Sequence, residues 1–202
     1  MWPFSSRKKE GKSKASASAS VSESLQTLAN IGIRARPGIS NEDLLYSLGG
    51  SMDSKVEMLN LLCTLGGEVE RGDFVRISDD VWHFDAECIE DHGAYVSVVN
   101  RFVILAKGAL PLTNIRDYVD VEEGKAWVEF ELDGKTIHWD LEVNDDWIDP
   151  ELYSRIQVLV TPRGAGKRFF LVALSQDSLI SFGDEGMKMK LSVLAGLDFQ
   201  WE

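Results

Sequence analysis

Asp133-Gly134 constrains this chain more than any other pair of residues. Both central residues of a type I′ turn need positive φ, and Asp-Gly meets that need, so the flanking segments are committed to a β-hairpin with a two-residue loop. Leu132 then faces Lys135, and each further pair follows from the numbering. Ala126 meets Leu141, Val128 meets Trp139 and Phe130 meets Ile137 on one apolar face. On the other face Glu129 meets His138 and Lys125 meets Glu142. This register satisfies both faces at once, whereas a slip of one residue would exchange them. Glu129 and His138 read most simply as a cross-strand ion pair.

Around the hairpin, periodicity alternates between helix and strand. Leu25, Leu28 and Ile31 recur at helical spacing, with Pro37-Gly38 expected to end that element. Ser40 or Asn41 caps a short helix to Leu48, and a third helix carries Val56, Leu59, Leu62 and Cys63 before stopping at Gly66-Gly67. From residue 82 to 88 the chain alternates strictly, with Trp82, Phe84, Ala86 and Cys88 on one face and His83, Asp85 and Glu87 on the other, which predicts a half-buried strand. Asp91 is expected to cap a helix reaching Ala106, with Tyr95, Val98, Val99, Phe102 and Leu105 inward and Gly108 at its end. Asp149-Pro150-Glu151 opens another helix through Leu152, Ile156 and Leu159. Phe169–Leu174 and Leu179–Phe182 read as strands joined across Ser175-Gln176-Asp177; a last helix ends near Gly196, and Leu197, Phe199 and Trp201 alternate in a terminal strand. The fold class expected is α+β: a mostly antiparallel sheet with helices packed on it, in a single domain over residues 22–202.

Charge separates that domain from its N-terminus. Residues 1–14 carry a net +4, whereas the rest of the 202-residue chain carries −16. A Ser/Ala tract from Ser13 to Ser24 joins them, so residues 1–21 read as a flexible basic tail. No apolar stretch follows the basic residues, which excludes a signal peptide, and Trp2 stands where N-myristoylation needs Gly. Trp2 and Phe4 beside that cluster would allow a weak peripheral contact with an anionic membrane, at about 1 kcal/mol per basic residue; a solvated tail is the simpler reading. No membrane span is expected, because the longest apolar run is six residues. An acidic domain disfavours nucleic acid as a partner. Two cysteines, Cys63 and Cys88, form no disulfide framework and favour a reducing, cytoplasmic setting.

Candidate chemistry is sparse. Gly164-Ala165-Gly166-Lys167 suggests a phosphate loop, but Thr161 stands where the motif needs Gly and Arg168 where it needs Ser or Thr, leaving a helix-to-strand turn. His83, Asp85, Glu87 and His92 match no compact metal pattern, and Asp145, Asp146 and Asp149 lack the glycine-punctuated loop of a calcium site. Neither a metal nor a cofactor is expected. Cys88 precedes a helix, where the dipole lowers a thiol pKa.

Lys125-Ala126-Trp127-Val128-Glu129 and Trp139-Asp140 resemble the paired strands of transglutaminase-like, papain-fold proteins. That resemblance implies Cys88 as nucleophile and Asp140 as the acid orienting a general base, although Lys125 occupies the base's position. Trp82–Glu90, Asp145–Pro150 and Ser175–Ile180 resemble, in the same order, segments of an uncharacterised family of bacterial proteins, which implies a bacterial, cytoplasmic origin and transfers no activity. Two functions follow as expectations. The first is a non-catalytic acidic interaction protein, of the kind an immunity protein represents, binding a basic protein partner through Asp85, Glu87, Asp145, Asp146 and Trp147. The second is a cysteine-dependent transferase or hydrolase using Cys88. The oligomeric state is left open.

Overall fold

The computed structural model describes residues 19–202. In chain order its elements are α1 (Val21–Asn30), α2 (Asn41–Leu48), α3 (Met58–Gly66), β1 (Glu68–Arg71), β2 (Asp73–Arg76), β3 (Val81–Asp85), α4 (Ala94–Leu105), β4 (Thr113–Asp120), β5 (Lys125–Leu132), β6 (Lys135–Leu141), α5 (Glu151–Val160), β7 (Arg168–Ala173), β8 (Asp177–Gly183), α6 (Glu185–Ala195) and β9 (Gln200–Trp201). Every strand pairing is antiparallel, in sheets ordered β1-β2, β3-β8-β7-β9 and β4-β5-β6. The chain is an α+β domain, as its periodicity predicts.

The apolar runs in β7 and β8 organise the layers, because a strand that is apolar on both faces must be covered on both. Phe169, Ile180 and Phe182 enter a core completed by α4, α5 and the inner face of β4-β5-β6. Their neighbours Phe170 and Leu179 enter a second core with Leu28, Leu44, Leu61, Leu62, Leu65 and Leu191 from α1, α2, α3 and α6. The four-stranded sheet is thus the wall between two cores. At β3 the expectation of a half-buried strand is corrected: Trp82 and Phe84 face the first core, Val81 faces the second, and α3 lies over His83. Gly66 makes that approach possible, since a Cβ there would sit 2.3 Å from the His83 backbone nitrogen.

The hairpin has the register that Asp133-Gly134 dictates, from Leu132↔Lys135 to Ala126↔Leu141, with φ of 52° and 74° at the two turn residues. Glu129 lies 3.4 Å from His138, but its carboxylate is also held by Arg116 of β4. Lys125 does not meet Glu142: β6 ends at Leu141, and Lys125 pairs with Glu123 at 2.7 Å.

Several helix ends differ from expectation. Ser20 caps α1 in a capping box with Glu23, Val21 is buried, and the Val56 amide donates to Ala19 O at 3.1 Å. Residues 19–21 therefore belong to the folded domain and not to a tail, and the remaining tail residues, with the membrane contact assigned to Trp2 and Phe4, lie outside the described residues. α1 stops at Asn30 rather than near Pro37, and Val56 precedes α3, which buries Leu61, Leu62 and Leu65. α4 begins at Ala94, and Asp91 does not cap it. Asp117 of β4 does, accepting from the Gly93 and Val96 amides at 2.8 and 3.1 Å. Asp149 does open α5, taking the Glu151 amide at 2.8 Å.

Candidate functional site

The two acidic stretches singled out above meet in space. Beyond Asp85 the chain leaves β3 and is gripped from both sides. The Ala86 amide donates to Gln176 O at 3.2 Å, the Ile148 amide donates to Ala86 O at 2.9 Å, and the Ile89 amide donates to Asp146 O at 2.9 Å. Glu87 and Trp147 face each other in an isolated antiparallel bridge. Burial of Ala86, Ile89 and Ile148 in the first core holds both backbones down, which leaves the intervening polar side chains outward. A left-handed Asp145, φ 56°, and the Trp147 amide donating to Asn144 O at 3.1 Å tighten the turn that presents Asp145 and Asp146. Trp147 is half-buried, packed against the first core with part of its surface open.

Asp85, Glu87, Asp145, Asp146 and Trp147 thus share one ridge, and Glu90, which sequence reasoning missed, extends it. Among the described residues no Lys or Arg forms a salt bridge with any of these carboxylates. Their side-chain donor is neutral: Gln176 Nε2 reaches Asp85 at 3.2 Å and Glu87 at 3.3 Å. Cys88 lies within this field. Burial, then the charges of Asp85, Asp146 and Glu90, pushes its thiol up to about 12. Burial likewise pushes the Tyr95 phenol up to about 12, and its oxygen accepts the Asp149 amide at 3.0 Å.

The residues of a cysteine enzyme are not brought together. Cys88 packs against the first core, which covers the inner face of β4-β5-β6. Asp140 alternates with the inward Trp139 and Leu141, so it stands on the outer face, opposite Trp127 and 3.3 Å from His138. The helix dipole that would lower a thiol pKa is already engaged by Asp117 at the start of α4. The arrangement holds Cys88 as a neutral thiol, which is a poor nucleophile.

His83 and His92 also part company. His83 sits beneath α3, 3.7 Å from Asp177, while the His92 ring packs 4.8 Å from Tyr118 on the outer face of β4-β5-β6. That face carries a row His92, Tyr118, Trp127 and His138, with Tyr118 and Trp127 stacked at an interplanar angle of 13°. The two-residue alternation around Trp127 and His138 was the signal for part of it; the contribution of His92 was not local. Among the described residues no group of three or more His, Cys, Asp or Glu side chains is arranged to hold a metal ion, and Asp149 is occupied as a cap. Among them also, no helix is long and apolar enough to cross a membrane. No protein-family model matches this chain, and no curated protein or solved structure matches it either.

Proposed function

We propose that the chain is a non-catalytic interaction protein that binds a basic protein partner through the ridge of Asp85, Glu87, Asp145, Asp146 and Trp147. One observation carries this reading: several carboxylates gather around a half-buried tryptophan, and among the described residues no Lys or Arg forms a salt bridge with them. Such a cluster repels itself and costs stability, and a cationic partner relieves that cost on docking. Trp147 supplies apolar contact at the centre, the carboxylates steer and orient the incoming surface, and the buried backbones beneath keep both stretches in place. An acidic cytoplasmic protein of bacterial type that neutralises a basic partner, as an immunity protein does a toxin, fits this physics. The cysteine-dependent reading gains no support from the geometry at Cys88 and Asp140.

The test is capture from the native host followed by calorimetry with the purified partner. The parent should bind in a salt-sensitive manner. Asp145→Lys with Asp146→Lys should reduce affinity at least about tenfold, since charge pairs at interfaces are worth more than 1.4 kcal/mol. Cys88→Ala should bind as the parent does. If charge reversal leaves affinity intact while Cys88→Ala abolishes the cellular phenotype, the reading is wrong.

A further inference from the structure

The basic residues of this acidic domain are not evenly placed. Residues 19–202 contain 16 Lys and Arg against 32 Asp and Glu. Four of those cations, Lys107, Arg163, Lys167 and Lys190, line one open cleft of about 700 Å³. Its walls come from the turn after α4, the turn between α5 and β7, and the junction of β8 with α6. Among the described residues two acids share the lining, Asp80 and Asp184, against these four cations. Asp80 pairs with Lys107 and accepts the Arg34 amide at 2.8 Å. Asp184 caps α6 through the Met187 amide at 2.8 Å.

Arg163 is engaged by Asp133 across the hairpin turn. Lys167 and Lys190 form no ion pair among the described residues, and both are exposed. Two ammonium groups without an ion-pair partner among the described residues therefore line one concavity of a domain whose net charge is negative. Backbone donors accompany them. In the turn Gly164-Ala165-Gly166-Lys167, Gly164 donates to Val160 O at 2.8 Å and Lys167 to Gly164 O at 2.9 Å, while the Ala165 and Gly166 amides have no backbone acceptor among the described residues. Ala165 and Gly166 both have positive φ, 50° and 85°, and of the two Ala165 lines the cleft. Gly186, in the first turn of α6, also lines the cleft, but the positive end of that helix is already engaged by Asp184.

The geometry points to this cleft as a binding site for a small phosphate-bearing solute, its phosphate held by Lys167 and Lys190 with the Ala165 amide. A phosphate monoester carries nearly two negative charges at neutral pH, which matches the two free ammonium groups. The volume lies in the range of small-molecule sites, roughly 300–1,000 Å³. A polynucleotide does not fit the same logic, because every phosphate beyond the cleft meets the acidic remainder of the surface. The turn at 164–167 lacks the nucleotide-loop spacing, and nothing in the cleft supplies a catalytic step, so the site binds and does not hydrolyse.

The probe is inorganic pyrophosphate, titrated into the full chain at constant ionic strength and followed by amide NMR. Saturable shifts are expected at 107–109, 163–167 and 183–190. Lys167→Gln with Lys190→Gln should weaken binding at least about tenfold, a loss of about 1.4 kcal/mol. Lys135→Gln, on the hairpin, should change nothing. Shifts that never saturate, or that persist unchanged in the double variant, would overturn the site. Equal affinity for malonate would overturn the phosphate assignment, and co-sedimentation with phosphatidic acid vesicles in place of pyrophosphate binding would overturn the soluble ligand.

Discussion

Gly66→Ala tests the central packing relation of this fold, the seating of α3 directly on the backbone of β3. A Cβ at residue 66 would lie 2.3 Å from His83 N and 2.9 Å from both His83 Cβ and Trp82 C. Carbon atoms in good contact stay about 3.5–4.0 Å apart, so helix and strand must separate by roughly 1 Å. The strand cannot yield alone, because Trp82 and His83 are registered with Ile180 and Leu179 of β8. The helix cannot yield alone either, since Leu61, Leu62 and Leu65 fill the second core. Overpacking of this kind costs up to about 3 kcal/mol. Replacing Gly by Ala in a helix returns up to about 1 kcal/mol, leaving a net loss of about 2 kcal/mol. In a domain of this size that lowers Tm by about 4–8 °C. Urea unfolding of the full chain, followed by tryptophan fluorescence, measures it. The adjacent Gly67→Ala is the control: its Cβ would meet Cys63 O and Thr64 O at 3.5 Å, an ordinary contact, and should cost nothing. A Gly66→Ala protein within about 0.5 kcal/mol of the parent, or equal losses in both variants, would refute the close seating of α3 on β3.

Three further outcomes are expected. Gly134→Val, placing a β-branched residue at φ 74°, should cost about 2 kcal/mol in the same urea assay, and an NMR contact between Val128 and Trp139 should identify the register. With Cys63 replaced by Ser, iodoacetamide should modify native Cys88 about a thousandfold more slowly than a model thiol near pH 8, because its pKa is raised from 9.0 to about 12; a rate within about tenfold of the free thiol would contradict the buried, acid-flanked setting. Asp43 is held down from 3.8 to about 2 by the Ser40 hydroxyl and by Arg71. A depressed carboxylate stabilises the fold above its unfolded pKa and loses that contribution as pH falls through the folded one, so the stability gap between parent and Asp43→Asn should close between pH 3.8 and about 2. A gap that stays constant across that window would show that the ion pair with Arg71 contributes nothing.

Local physics was legible wherever one short segment settles its own geometry. Asp133-Gly134 determined the hairpin and its register because positive φ and a two-residue loop leave one pairing. Ser40 and Asp149 were readable as caps because the donors they satisfy lie within three residues. The continuous apolar runs at 169–174 and 179–182 announced buried strands, though not which cores they would separate. Other features needed the chain to come back to itself. Asp91 looked like the cap of α4, yet the cap came from Asp117, on a strand 24 residues later than Gly93. Ser20 and Val21 read as part of a Ser/Ala tail, and only the backbone partners at 52–56 and the burial of Val21 made them structural. Residues 82–88 alternated like a one-sided strand, but α3 settled on the polar side at His83, through a glycine whose role cannot be seen until helix and strand touch. The candidate sites divide the same way. Asp85, Glu87, Asp145 and Asp146 were visible as acids, and Lys167 stood in an evident turn; that the acids form one ridge with Glu90, and that Lys107, Arg163 and Lys190 share a cleft with Lys167, was decided by tertiary structure alone, because charges interact through space and not along the chain.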